Sequence, residues 1–207
     1  MPASRAEAEG GESARLVFTP AKHIYSTLDG RRGAGGRDGS MLAAEREISA
    51  PDLAGRFRDA MRRTAAGVAV VTTQGSAGRG GITVSSFCSL SLEPPSVLVC
   101  IRRDSTTLAR IVHNGLFAVN ILAEDQAELA AAFASPATPH ERRFSLGAWA
   151  PGAGGPVLHG AVAHFDCRLA HIHDYGSHTI VIGEVVDAVS HDARPLIYAE
   201  QGFHKLP

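Results

Sequence analysis

Residues Gly81–Pro95 read GITVSSFCSLSLEPP. Thr83, Ser85, Ser86, Ser89 and Ser91 alternate irregularly with apolar residues. Side chains along a strand point to opposite faces in turn, so this spacing cannot put every hydroxyl on the outside of a packed barrel. Some of them must face a polar body held against the sheet. Short hydroxyls and backbone N–H groups suit a heteroaromatic edge on which donors and acceptors alternate. On composition alone, an edge strand with an ordinary Ser-rich turn accounts for the same run. Glu93-Pro94-Pro95 imposes extended geometry and removes two backbone donors where the chain leaves this segment.

Ser96–Arg102 (SVLVCIR) continues as a strand, and Arg102–Thr107 (RRDSTT) lies between it and a helix. Asp104 or Ser105 caps that helix, which stops at Asn114-Gly115. Hydroxyls and unpaired N–H groups at a helix start, beside two arginines, form an anion site. A plain N-cap with solvated arginines is the structural alternative. Upstream, Leu53, Phe57, Ala60, Met61 and Thr64 fall at helical spacing, with Ser49 or Asp52 as cap and Pro51 in the entry turn. Val68–Thr73 is a strand, and a Gly/Ser-rich turn, Gln74–Gly81, leads to a strand over Ile82–Phe87. Downstream, Leu116–Leu122 is a strand and Asp125–Phe133 an alanine-rich helix. Residues 135–156 read as a loop, followed by strands near 161–173, 178–189 and 195–204. Six or seven strands, three short helices and no βαβ rhythm predict a mainly β fold, a small barrel with peripheral helices.

Two patterns refine that barrel. Ala161, Ala163, Phe165, Cys167 and Leu169 share one phase while Ile172 falls on the other, which predicts a bulge near Ala170. His178–Val189 is apolar on both faces, with Ile180, Ile182 and Val186 opposite Val181, Val185 and Val189. Such a strand must be covered twice. A helix or a second subunit would supply the outer cover, so a homodimer is expected.

The chain has 207 residues, of which 44% are hydrophobic, enough for one domain with a sizeable core. Its 21 acids and 20 bases nearly cancel, and no basic stripe carries interleaved aromatics, which argues against a nucleic-acid partner. Cys88, Cys100 and Cys167 are odd in number and widely spaced, which suits a reducing cytoplasm rather than a disulfide framework. No apolar run reaches the roughly 18 residues of a membrane helix, and no signal-peptide core is evident. Residues 1–50 read as a flexible tail, with almost nothing to bury in Asp29–Ser40, and residues 51–207 as the domain. Met41 offers a second reading, in which translation starts there.

Several residues invite sharper readings. His171 and His173 share a strand face, with Asp174 and His178 nearby, but nothing completes a known ligand spacing, so no metal is assigned. Cys88 and Cys100 lack a partner cysteine and read as small packing residues. Arg142, Arg143, Phe144 and Trp149 read as pins of the long loop, and Asn120 as a buried amide satisfied by backbone groups.

GITVSSFCSLSLEPPSVLVCI, RDSTTLARI, FAVNILAEDQAELAAAFA, GSHTIVIGEV (Gly176–Val185) and PLIY (Pro195–Tyr198), in that order, resemble the short-chain flavin reductases. The resemblance covers about residues 55–205. It implies an FMN-binding split β-barrel, homodimeric, that uses NADH or NADPH to reduce FMN or FAD and supplies the product to a flavin-dependent monooxygenase by diffusion. It implies that Gly81, Ile82 and Thr83 meet the isoalloxazine, with Ser85 and Ser86 close by. Cys100, Ile101 and Arg102 follow the ribityl chain, Thr106 and Thr107 hold phosphate, and Phe133 is a further flavin contact. His178 faces the nicotinamide as the catalytic residue, and the region from Tyr198 to Gln201 contacts the pyridine nucleotide. The family usually reads Gly-Asp-His where this chain has Gly176-Ser177-His178. Two rivals stand beside this reading: an oxidase on the same barrel that retains FMN, and a flavin- or haem-binding protein without turnover.

Overall fold

The computed structural model describes residues 50–207, with side chains from Leu53 onward. The readings of residues 1–49, including Met41 as a start and Ser49 as a cap, lie outside the described residues.

β2 (Ala69–Thr73) is buried at every position and divides the interior in two. Ala69 and Val71 face a core with Val97, Val99, Phe117 and Val181, while Val68 and Val70 face a second with Leu122, Leu129, Phe133 and Phe144. A strand buried on both sides reads as a continuous apolar run, as Val68–Val71 does. Around it stand α1 (Ala50–Met61), β1 (Ala66–Gly67), β3 (Gly80–Val84), β4 (Phe87–Leu92), β5 (Pro95–Arg102), α2 (Thr106–Asn114), β6 (Leu116–Ile121) and α3 (Ala127–Ala134). Then follow α4 (His140–Ser145), β7 (Trp149–Pro151), β8 (Pro156–Leu158), β9 (Ala163–Tyr175), β10 (His178–Ser190), β11 (Leu196–Ala199) and β12 (Gly202–Lys205).

Seven strands form one antiparallel sheet in the order β3-β2-β6-β9-β10-β5-β4. It curls without closing, as a split barrel. Its two edges, β3 and β4, are consecutive in the chain, and α2 packs Leu108 and Ile111 into the first core. The bulge expected near Ala170 is present: Ile182 pairs with His171 and Gly183 with Leu169, leaving Ala170 as the extra residue. α2 begins and ends where its signals predict. Ser105 accepts the Thr107 amide, and Gly115, at φ 69°, donates to the Ile111 carbonyl.

Other expectations are corrected. The strand predicted over Ile82–Phe87 breaks at Ser85-Ser86, because Ser86 accepts the Cys100 amide at 3.2 Å and donates its hydroxyl to the Cys100 carbonyl at 2.9 Å, turning the chain onto β5. Glu93-Pro94, a cis bond, forms the tight turn of the β4–β5 hairpin rather than an extended exit. The 135–156 loop contains α4, β7 and the start of β8. The strand near 195–204 is a hairpin, with Glu200 and Gln201 at φ 48° and 64° in its turn. The apolar stripe of α1 is exposed among the described residues: Leu53, Phe57 and Met61 are 53%, 62% and 50% exposed. Cys88 is exposed rather than packed.

Two buried polar residues fasten the 149–158 hairpin. Asn120 donates to the Val70 carbonyl at 3.1 Å and to the Pro156 carbonyl at 3.4 Å, and accepts the Leu158 amide at 2.8 Å. Asp166 accepts the Gly154 amide at 2.6 Å. Asn120 is therefore the backbone-satisfied amide that the sequence suggests.

Candidate functional site

Gly81, at the start of β3, organises the site. Its carbonyl accepts the Thr107 hydroxyl at 3.1 Å and an Arg143 N–H at 3.4 Å, joining β3 to α2 and to α4. Its α-carbon abuts a ring: a Cβ there would lie 2.4 Å from Phe133 Cε1, so only glycine lets the strand approach α3 this closely. Phe133 is buried against Phe144 at 5.0 Å and Trp149 at 5.5 Å between ring centroids, a tilted aromatic group that holds α3, α4 and β7 together. Arg79 lies 4.2 Å above the Phe144 ring. His140 packs on the same ring, and burial, followed by the charge of Arg110, holds its imidazolium form below the ordinary histidine range. Arg143 also donates to the carbonyls of Thr138 and Ser135 at 3.0 and 2.7 Å, so it pins the loop as expected.

Above this floor runs a groove of about 440 Å³. It brings together Gly81, Ile82, Arg102, Thr106, Thr107 and Phe133 from the sequence prediction. It adds residues that the sequence reading did not assign to a site, chiefly Asp104 and Arg143. A second groove, about 720 Å³, runs along the β9–β10 turn past Gly176, Ser177 and His178. Arg102 and Asp104 line both, so the two grooves adjoin at this ion pair. The register explains the adjacency, since His178 opens β10 directly opposite Arg102, which closes β5.

The remaining predicted residues fall elsewhere. Thr83 donates its hydroxyl to the Ala130 carbonyl at 2.7 Å and locks β3 to α3. Ser86 serves the β4–β5 corner, and Ser85 beside it is exposed outside the groove lining. Ile101 points into the first core at 1% exposure, and Cys100 is half-buried on β5. Tyr198 belongs to a separate sheet of β1, β11 and β12, with its ring against Phe203 at 5.6 Å.

The polar groups at the junction are differently committed. Arg102 forks onto Asp104 through two N–H···O contacts of 3.0 and 2.5 Å. The hydrogen bond from Arg102 comes first among the causes that keep the Asp104 carboxyl below the usual range. Arg103 lies 3.7 Å from the Asp174 carboxylate and donates to the Gly176 carbonyl at 3.2 Å, steadying the turn before His178. The Ser177 hydroxyl lies 2.9 Å from His178 Nδ1. Among the described residues no three His, Cys, Asp or Glu side chains gather closely enough to hold a metal. No described helix is long and apolar enough to cross a membrane.

This donor set fits a planar ligand that carries a phosphate. Ser105 caps one first-turn amide of α2 while the others have no partner within the helix, and Thr106 and Arg102 add a hydroxyl and a guanidinium. The backbone of Gly81-Ile82 adds close-approach surface.

Comparison with known proteins agrees with the chemistry. Residues 61–207 match the family model described as flavin reductase like domain. The FMN reductase (NADH) RutF of Stutzerimonas stutzeri is 38% identical over 162 residues, covering 77% of this chain and 92% of that protein. The 4-hydroxyphenylacetate 3-monooxygenase reductase component of Pseudomonas aeruginosa is 40% identical over 153 residues, covering 72% and 90%. Among solved structures, the Streptomyces globisporus NADH:FAD oxidoreductase in complex with NAD and FAD fragments superposes with a TM-score of 0.70 at 32% identity, covering 76% of this chain and 94% of that one.

Proposed function

The chain belongs to the flavin reductase-like domain family, and from that premise we propose that it uses NADH or NADPH to reduce FMN or FAD and releases the product to a flavin-dependent monooxygenase. The observation that carries this reading is the meeting of two grooves at Arg102: one with a phosphate-binding donor set, the other lined by His178. The named functions of the relatives, an FMN reductase that uses NADH and a monooxygenase reductase component, support it.

A bound flavin would supply the redox chemistry as hydride acceptor, and the protein supplies binding and orientation. Arg102, Thr106 and the α2 amides would hold the phosphate. Gly81 and Ile82 would lie along the ring system, with Phe133 backing Gly81. The Thr107 hydroxyl is already donated to Gly81, so Thr107 contributes by fixing the strand and through its amide. Thr83, Ser86 and Ile101 support the walls rather than touch ligand, and Ser85 and Cys100 flank them. His178, steadied by Ser177, would position the nicotinamide over the groove. Alignment of this kind lowers a barrier by several kcal/mol at best, without any covalent nucleophile. Tyr198 lies on another sheet of the same chain, and a nucleotide contact there would come from a second subunit.

A homodimer is part of this reading, and the exposed apolar residues of α1 and Val186 on β10, which is 51% exposed, support it. Sedimentation at micromolar concentration tests it, and a monomer would remove that part. The domain proper is residues 51–207. Unpaired cysteines, one of them exposed, suit the cytoplasm.

Under anaerobic conditions the purified chain with NADH or NADPH should bleach added FMN or FAD in the visible, and gel filtration should strip the flavin. Absence of bleaching with every pairing refutes the reductase reading. Retained flavin with indifference to nicotinamide would favour the oxidase alternative.

A further inference from the structure

The flavin groove is lined by two arginines, Arg102 and Arg143, and neither is idle. Arg143 is bound to three backbone carbonyls, those of Thr138, Gly81 and Ser135. Arg102 is the more exposed of the two, and its fork is filled by Asp104. The neighbouring Arg103 is turned to Asp174 and the Gly176 carbonyl, on the other side of the junction. An anion that binds at the start of α2 therefore meets a cation already taken by a carboxylate.

That carboxylate is not needed for the helix. Ser105 is the N-cap and accepts the Thr107 amide, while the side-chain hydrogen bonds of Asp104 come from Arg102. The pair is also exposed, at 67% and 68% of the side-chain surface, so little holds it against competition. A ligand phosphate reaching Arg102 must either displace Asp104 or share the guanidinium with it at close range, where like charges repel.

We infer that Asp104 sets the flavin affinity: its carboxylate occupies Arg102 and opposes the phosphate, keeping the flavin weakly held so that it leaves after reduction. This deepens the reductase reading and rests on it. Its effect on the flavin acts through the phosphate and is screened by salt. It is modest because both side chains are solvated, on the order of tenfold in affinity.

The test uses the full chain with Asp104→Asn and, as a second variant, Asp104→Ser. Dissociation constants for FMN and for riboflavin, which lacks the phosphate, are read by fluorescence quenching at low and high salt. Both variants should bind FMN about tenfold more tightly and release it correspondingly more slowly, with riboflavin unchanged and the gain shrinking at high salt. On an Arg102→Gln background, Asp104→Asn should tighten FMN less, because only the direct repulsion of the phosphate is then left to remove. Unchanged or weakened FMN binding, or equal tightening of FMN and riboflavin, overturns the inference. Anaerobic bleaching by the unmodified chain keeps the two readings apart: a protein that reduces FMN but shows no phosphate-dependent gain in either variant is a reductase in which Asp104 has no such role.

Discussion

Asn120 and Arg102 both place a polar side chain on an otherwise apolar strand, and the molecule treats them in opposite ways. Asn120 is fully buried, and its amide is used up by backbone carbonyls and the Leu158 amide. Arg102 stands at the end of β5, is mostly exposed, and is matched only by another exposed charge. A buried polar group left unpaired carries its full desolvation cost, so the interior has fixed every bond around Asn120. A solvated ion pair contributes little, so the rim around Arg102 can exchange partners. The first arrangement holds the fold; the second can bind something and let it go.

The comparison breaks most visibly if Asn120 is dispensable. Asn120→Ala strands the Leu158 amide, while the Pro156 carbonyl keeps the Thr72 hydroxyl, and urea unfolding should show a loss of roughly 2 kcal/mol. Gly81→Ala, between the two regions, forces a methyl into the Phe133 ring. Thermal unfolding should drop by about 2 kcal/mol and FMN binding should weaken with it, since the groove floor moves.

A pH titration sharpens the contrast further. Burial, then the charge of Asp166, pushes the Cys167 thiol from 9.0 up to about 12. The folded chain thus keeps a proton that the unfolded chain gives up, so stability is intact below pH 9.0 and is lost as pH rises towards 12. The slope in that window should approach about 1.4 kcal/mol per pH unit, and Cys167→Ala should flatten it. The smallest change in stability belongs to the rim. His178→Gln should leave the unfolding midpoint in place while NAD(P)H-dependent flavin reduction falls on the order of tenfold or more at unchanged FMN affinity. A stability loss there would mean that the second groove is structural.

Local signals carried the elements whose causes are local. Ser105 and Gly115 bound α2, the phase change at Ile172 announces the bulge at Ala170, and Val68–Val71 shows a strand buried twice. The 135–156 segment was illegible because α4 is a helix of only six residues among prolines. It is held by Arg143, which reaches the Gly81 carbonyl 62 residues away, and by Arg79 over the Phe144 ring, rather than by its own periodicity. Ser85 and Ser86 looked like groove hydroxyls because a hydroxyl in a strand announces a partner without saying which. For Ser86 the partner is the Cys100 backbone, 14 residues away.

By itself the sequence determined the class of the fold, the bounds of α2 and the family, because capping, alternation and ordered motifs are written residue by residue. Only the tertiary structure decided which polar groups are already taken. Hydrogen bonds of Thr83 with Ala130, of Thr107 with Gly81, and of Arg102 with Asp104 depend on which elements come to lie side by side. The same long-range approach brought His178 next to Arg102, because the pairing of β10 with β5 closes a separation that no local pattern spans.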